Sequence, residues 1–515
     1  MPKKHTLSMQ TIGYLLLWAG IILLIGRACT FLLSLNNTVP QQPSSTPPNP
    51  GLTAASVENG VVYFVANNAI HALRTSDGKQ IWQAFSNTIN PPVVANGVIY
   101  EVDFRAITAL RGSDGTLLWR YFPSDEGGVA QPGNTQIAQI AGNRIYMYDG
   151  QVLDVLLADS SVAGSGIRVW STSDSVNAVD INTLSISNGI VYYAVHPQNN
   201  ATTTTTLPDT AIVARRASDG KVLWTYSASI GGQPCAITSM AQVQDAVYAS
   251  ASCNNGTGRT FALRASSGAM LWQSSISGQF SVTNGVVCLH ISQASPTLAD
   301  LYVLQASTGK LLWQDQPGTA RHQTQVWTPG NGYVYILDNG TLNARRLSDG
   351  QPAWNMAFPY NAVSPTFETF SDPVFLGAMN DVVYLQSSVV NQNTHVAFNR
   401  LYALQASTGK QLWSFQQDQF NLTWSNVSFN ATTGTIAIQG FDTQHPTDIY
   451  LLRATNGEPM GSLIQSQQAS TVLIANGTIY ITSTSGDGNN TPFSYHVRAI
   501  RIDNQGSQTL WAFAA

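Results

Sequence analysis

The chain is short of charge. Asp, Glu, Lys and Arg make up 10% of its 515 residues, where about 25% is usual. A net charge of -4 and a pI near 6.0 provide no basic field, and the Lys and Arg residues look scattered rather than clustered, which argues against nucleic acid as a partner. Cysteine is scarcer still: Cys29, Cys235, Cys253 and Cys288 are the whole set, and no two are adjacent. The histidines show no short metal-ligand spacing. No convincing amphipathic helix interrupts the body of the chain, which leaves strands and turns to build it.

Hydrophobic residues still make up 43%, enough for a core, so Ser, Thr, Asn and Gln must supply most of the polar surface. At this length several units or one large closed array are required. Composition departs from this pattern at the N-terminus, where Lys3, Lys4 and His5 precede a largely apolar stretch from Ile12 to Leu35, interrupted by Arg27. About 20 such residues cross a bilayer. Residues 1–11 are then a short cytoplasmic N-terminus, 12–35 a transmembrane signal anchor, and the bulk of a single-pass cell-membrane protein is extracytoplasmic. Two alternatives stay open: a cleaved signal peptide, since Gly26-Arg27-Ala28 offers small residues to a signal peptidase, and lipidation at Cys29. Residues 36–52, beginning NNTVPQQPSSTPPNP, have almost nothing to bury and read as a semi-extended spacer. Residues 53–515 form the folded body.

Within that body, LYVLQASTGKLLWQ (Leu301 to Gln314) returns as LYALQASTGKQLWSF (Leu401 to Phe415). Aligned on this stretch, eight copies show a small residue, a short strand and a turn ending in Gly. Four residues on stand Trp82, Trp119, Trp224, Trp272, Trp313, Trp354 and Trp413, with Gly461 in the eighth copy. A tight turn such as Asn59-Gly60 or Asn96-Gly97 precedes each copy and leads into a Val/Ile/Tyr strand. Asn-Gly between apolar runs is a strong hairpin signal, because both central residues of a type I′ turn need positive φ. Counting these turns raises the total to ten units; the two added ones are degenerate and run through Trp170 and Trp511. Each unit reads strand A, tight turn, strand B, loop, strand C, Gly turn, strand D. Four short strands at a period of about 40 to 50 residues predict an all-β fold, a β-propeller of four-stranded antiparallel blades.

The turns also assign two faces. A-B and C-D turns, uniformly tight, share one face. B-C and D-A connections share the other and vary in length: Pro197 to Asp209, Ser252 to Arg259, Gln386 to Asn399 and Ser483 to Tyr495 for B-C, Phe122 to Thr135 and Phe358 to Asp372 for D-A. Variable loops on a rigid scaffold are where binding usually resides. Most Asn-Gly-Thr and similar sequons coincide with turns, and turn chemistry explains them.

The copies resemble the repeat of the PQQ-binding-like, or quinoprotein-dehydrogenase-like, β-propeller family: Ala, two positions later Asp, then Thr-Gly, then Trp four residues on. The resemblance covers the body from about Ala54 to Phe513. It implies that the seven tryptophans dock each blade onto the next. It also implies eight blades, so the ring is expected to hold eight to ten, with two degenerate units either inside it or outside. In place of the motif's Asp this chain has Arg74, Arg111, Arg216, Arg264, Arg346, Arg453 and Arg501, with Gln305 and Gln405 in two copies. Such a guanidinium can lie over a neighbouring indole or cover the blade edge with its stem, and the second role is the expected one. Enzymes with this repeat hold PQQ beside a vicinal disulfide, with acidic and amide ligands for calcium. Without adjacent cysteines no cofactor residue carries over, so no cofactor is expected, and PQQ with calcium belongs only to the oxidoreductase alternative.

Cys235 and Cys253 flank the hairpin at Gln244-Asp245. Ideal two-residue-turn register sets Cys253 opposite Ala236, so a disulfide between them requires a bulge or a longer turn. Cys288 replaces a strand Tyr and reads as a buried packing residue. His196, His290, His395 and His445 fall in or beside B-C connections and read as solvated loop residues. Arg321, His322 and Trp424, near the starts of innermost strands, are candidate ligand- or partner-binding residues at the channel mouth. The leading expectation is a membrane-anchored extracytoplasmic scaffold that binds an envelope or cell-surface protein through the B-C and D-A face, as the related outer-membrane-assembly propeller does. A PQQ-dependent oxidoreductase and an extracellular sensor for a sugar or other small ligand are the alternatives.

Overall fold

The computed structural model describes residues 56–514 apart from 87–91, 104–105, 123–134, 151, 159–166, 173–176, 198–209, 234, 254–255, 292–300, 316–324, 329–330, 339–340, 359–367, 371–372, 392–395, 417–422, 431–433, 442–446, 466–467, 476–477, 486–493 and 504–505. The expected anchor and spacer, with Cys29, therefore lie outside the described residues. The body is an all-β propeller of ten antiparallel sheets, each built in the order A, B, C, D. In chain order the blades run 56–85, 93–121, 136–171, 177–227, 235–274, 279–314, 325–357, 368–416, 423–465 and 468–514. Strands A of successive blades lie side by side, as between blades 1 and 2, 4 and 5, and 5 and 6, which makes them the innermost. Both degenerate units are blades of the ring, so the number is ten rather than the family's usual eight.

The sequence dictates the hairpins as expected. Asn59, Asn96, Asn188 and Asn284 have φ near +50° and each is followed by a Gly at positive φ, the type I′ requirement that only Asn and Gly meet at little cost. A second regularity carries no residue signature of its own. In all ten blades the C-D ladder slips by one residue just beyond the C-strand residue that faces the docking position, from Ala72/Leu73 in blade 1 to Ala499/Ile500 in blade 10. A bulge of this kind re-aims side chains. Here it turns the indole out of its own sheet and onto the next blade.

The indole then meets a matching shelf. The Trp82 Nε1–H donates to the Gly112 carbonyl of blade 2 at 2.8 Å, and Tyr63 donates to the same oxygen at 3.2 Å. Trp170, Trp224, Trp272, Trp313, Trp354 and Trp413 make the corresponding bond to the following blade at 2.7 to 3.0 Å. Beneath each ring sits the C-D turn glycine: Gly115, Gly220, Gly268, Gly309, Gly350, Gly409 or Gly457. Its φ is near +70°, and an added Cβ would lie within 2.7 Å of the indole. The glycine is thus required twice, by the turn and by the ring lying on it. Burying one such indole removes about 150 to 250 Å² from water, at most about 4 to 6 kcal/mol. The ring closes by the same device: Trp511 of blade 10 donates to the Thr75 carbonyl of blade 1 at 2.7 Å and covers Gly78.

Four of the arginines form a bond that neither expected role includes. Arg74, Arg111, Arg216 and Arg346 each reach forward three residues to the Asp of their own C-D turn, at 2.9 to 3.0 Å. Where the turn has Thr308 or Thr408, its hydroxyl donates instead to Gln305 or Gln405, at 2.7 and 2.8 Å. Position three ahead decides the partner: Asp takes Arg, Thr takes Gln. The guanidinium therefore fastens its own turn; among the described residues, the guanidinium that lies over a docking indole is that of Arg215, 6.0 Å from the Trp170 ring.

Candidate functional site

The loop face is built differently from blade to blade. In blade 5, Cys235 and Cys253 stand directly opposite each other and are joined by a disulfide. The register slips between Ile237 and Ser239, leaving Thr238 as the extra residue that brings Cys235, rather than Ala236, across from Cys253. The bridge ties the first residue of strand A to the last of strand B. The strands run further than the sequence suggested, so the connection expected over Ser252 to Arg259 shrinks to 254–257 and is closed by bonds between Cys253, Gly256 and Thr257. Arg259 donates to the Tyr226 hydroxyl, the Ser229 carbonyl and the Gln273 side chain, each at 3.0 Å, with its guanidinium 5.2 Å from the Phe261 ring. It pins the crossing from blade 4 to blade 5.

Blade 8 does the opposite. The stretch expected as a loop from Gln386 to Asn399 is mostly strand: B and C run over Val382–Asn391 and Val396–Gln405 and pair through to Asn391 opposite Val396. Strand A is split in two, Val374–Met379 within the blade and Glu368–Phe370 beyond it, against Val389 to Asn391. This is the one five-stranded sheet among the described residues. The hairpin rises four residue pairs past the end of blade 1's corresponding hairpin, about 13 Å at the usual rise per residue.

Ionisable groups sit on this side of the joints. Glu101 accepts from the Ser86 hydroxyl of blade 1. Asp154 accepts from the Tyr121 hydroxyl of blade 2 at 3.1 Å and lies 3.9 Å from Arg168. Burial holds the Asp154 carboxyl above the usual carboxylate range against the pull of Ser171, Arg168 and Tyr121. His196 meets Asp180 at 3.2 Å across the ends of strands A and B in blade 4. Among the described residues no group of three or more His, Cys, Asp or Glu side chains is placed to hold a metal ion. Cys288 is buried opposite Val303, where other blades pair Tyr with Ala, and burial pushes its thiol up to about 12. Such a thiol packs and does not react.

The sequence candidates fare unevenly. Arg321 and His322, and with them His395 and His445, lie outside the described residues. Trp424 belongs to the innermost strand of blade 9, opposite Gly440 and next to a register slip. His290 closes strand B of blade 6 opposite Gln279. Reading the loops as unstructured missed the blade 8 arm, although the alternation in Val389-Val390 and Val396-Ala397-Phe398 signals strand, and missed Arg259, which no repeat position marks.

The sequence profile of the family described as outer membrane protein assembly factor BamB matches residues 37–199, 163–299 and 297–512. The chain belongs to this family. Its PQQ-like repeats therefore have a shown lineage, independent of the period that first revealed them. No curated protein sequence matches the chain. Among solved structures, similar folds include a quinohemoprotein alcohol dehydrogenase from Pseudomonas putida HK5, at 14% identity and a TM-score of 0.38, covering 77% of this chain and 69% of that one. BamB from Moraxella catarrhalis matches at 14% identity and a TM-score of 0.33, covering 68% of this chain and 94% of its own. A dihydro-heme d1 dehydrogenase, NirN, matches at 11% identity and 0.40, covering 71% and 73%.

Proposed function

We propose that this chain is a membrane-anchored, extracytoplasmic propeller that serves as a binding scaffold for an envelope or cell-surface protein, with the B-C and D-A face as the contact. The observation that carries the reading is the contrast between the two faces. The repeated residues, Trp, Gly, Arg or Gln and the turn Asp or Thr, are consumed in joining blades and closing turns. On the other face blade 5 is clamped by a disulfide and blade 8 is built out into an arm, whereas on the turn face the Gly turn recurs in eight of the ten blades. A disulfide also suits an oxidising compartment, and family membership with an assembly factor supports a scaffold over a reagent-holding site.

The test is site-specific photo-cross-linking in the intact cell envelope. A photoreactive residue at Phe398 on the arm should capture one defined partner, and one at Asp77 on the opposite face should not. Equal capture from both faces, or none from either, overturns the reading. Incubating the purified chain with PQQ and calcium decides the rival: cofactor-dependent absorbance with dye reduction by an alcohol would replace the scaffold by an oxidoreductase.

A further inference from the structure

Lys and Arg look scattered in the sequence because many of them recur with the blade, and the propeller brings those that recur to the turn face. The C-D turns of blades 1, 4, 6 and 8 each carry a lysine after the shelf glycine: Lys79, Lys221, Lys310 and Lys410, all exposed. Relative to the motif the chain resembles, replacing Asp by Arg or Gln adds positive charge to turn after turn. The turns of blades 5 and 6, like that of blade 8, go furthest, since they have Ser267, Thr308 and Thr408 in place of an acid. Across blades 4 to 6 this rim presents Arg216, Lys221, Arg264 and Lys310 against two carboxylates, Asp219, held by Arg216 at 3.0 Å, and Asp245 of an A-B turn.

A second feature occupies the same rim. The outermost strand begins there, and the C-D register slip inserts its extra residue there. On three successive blades the residue it leaves unpaired and the paired residue before it are both aliphatic. In blades 4, 5 and 6 they are Val222 and Leu223, Met270 and Leu271, Leu311 and Leu312, each 37% to 44% exposed. Six exposed aliphatic side chains thus recur at one place on three successive blades, which is not the single, scattered exposure of an ordinary surface. Aliphatic side chains flanked by lysine and arginine are the composition of a protein surface that lies in a lipid headgroup layer.

We propose that the turn-side rim of blades 4 to 6 rests on an anionic lipid surface. The aliphatic pairs enter the headgroup layer, and Lys221, Arg264 and Lys310 face lipid phosphates. This deepens the scaffold reading and rests on its membrane attachment, giving the ring an orientation in which the turn side meets the bilayer and the loop side is offered to the partner.

The experiment uses the full chain in nanodiscs of phosphatidylcholine alone or mixed with phosphatidylglycerol. An environment-sensitive NBD label is placed at Leu271→Cys in a Cys29→Ser background, Cys288 being buried, with Phe85→Cys, 72% exposed at the loop-side end of blade 1, as the control site. The expected result is a blue shift and loss of iodide quenching at 271 that requires phosphatidylglycerol, weakens at high salt and disappears with Lys221→Glu and Lys310→Glu, while the label at 85 stays water-like. A water-like label at 271 in protein embedded in both discs overturns this proposal and leaves the anchor reading standing. An equal shift in both lipids overturns the charge-directed contact. Protein that stays off both kinds of disc overturns both readings.

Discussion

Two joints of one ring show what holds it. Between blades 5 and 6, the Trp272 Nε1–H donates to the Ala306 carbonyl at 2.7 Å, Tyr248 reaches the same oxygen at 3.3 Å, and the ring covers Gly309. Between blades 2 and 3, Trp119 is just as buried and Tyr100 finds the Ala158 carbonyl at 3.4 Å. Yet the Trp119 Nε1–H has no hydrogen-bond partner among the described residues, and Asp154 Oδ1 in the same joint accepts no hydrogen bond, with Arg168 3.9 Å away. The two Trp-bearing strands are alike; the receiving turns differ. Blade 6 offers the five-residue Gly turn, whereas in blade 3 ten residues separate Leu157 from Arg168. An indole is buried by its own strand's bulge, but its N–H is satisfied by its neighbour's turn.

The joint between blades 9 and 10 extends the lesson. Gly461 occupies the indole position opposite Leu451. Blade 10 has no shelf either: its C-D ladder runs two pairs past Arg501, to Asp503 opposite Gly506, and absorbs the residue whose carbonyl would have accepted the bond. The outer strands of the two blades lie side by side there. Indole and shelf are both missing at this joint.

The largest test of the comparison is Trp511→Ala. It removes a fully formed joint at the one place where chain ends, rather than continuous chain, meet, and should cost about 3 to 5 kcal/mol in urea unfolding. Trp119→Ala should cost less, since it also removes an unbonded buried N–H. Equal losses would mean that the hydrogen bond and shelf contribute nothing.

Glycines sharpen it next. Gly309 and Gly285 stand in the same blade at φ +69° and +75°, but a Cβ at 309 would strike the Trp272 ring, whereas nothing lies within 4 Å at 285. Gly285→Ala should cost about 1 kcal/mol for the positive φ alone, and Gly309→Ala a further 1 to 3, roughly, for displacing the ring. Indole fluorescence should shift only in the second variant. Smaller again is the effect of completing the repeat where it is broken: Gly461→Trp should lower the melting temperature, by about 1 to 3 kcal/mol of overpacking where two outer strands approach. A stabilised variant would show that the missing indole had left an empty seat.

Much of this was legible beforehand, and the limit is physical. Periodic features survive in sequence because every blade repeats them, so the Trp, the Gly turn and the Asn-Gly hairpins gave ten units at once. What depends on the next blade does not appear in any one copy. The arginines are a different case: their partners, Asp77 or Asp114, stand three residues ahead in the same copy, and the tight C-D turn brings each pair together. The blade 8 arm and Thr238's bulge are single events, which a repeat-based reading averages away. Arg321 and His322 belong to the same single-copy class, chosen by place along the chain and not by pattern.

Asp154 gives the finest test, because it acts on the joint between blades 2 and 3 through pH alone. Its carboxyl is buried against Tyr121, Ser171, Arg168 and Asp149, with a folded-state pKa raised first by desolvation. A raised acid stabilises the fold fully below its unfolded value of about 3.9, and the contribution is lost as pH rises through the folded value. The ionised form of this carboxyl is the one that burial penalises, and one of its oxygens lacks a hydrogen bond. Asp154→Asn removes that charge while keeping an acceptor for Tyr121. The melting temperature of the variant relative to the parent should rise as the pH is raised and fall back as it is lowered toward the unfolded carboxylate value. The opposite trend would mean that Arg168, 3.9 Å away, outweighs burial and that this joint is held by an ion pair rather than weakened by a carboxylate.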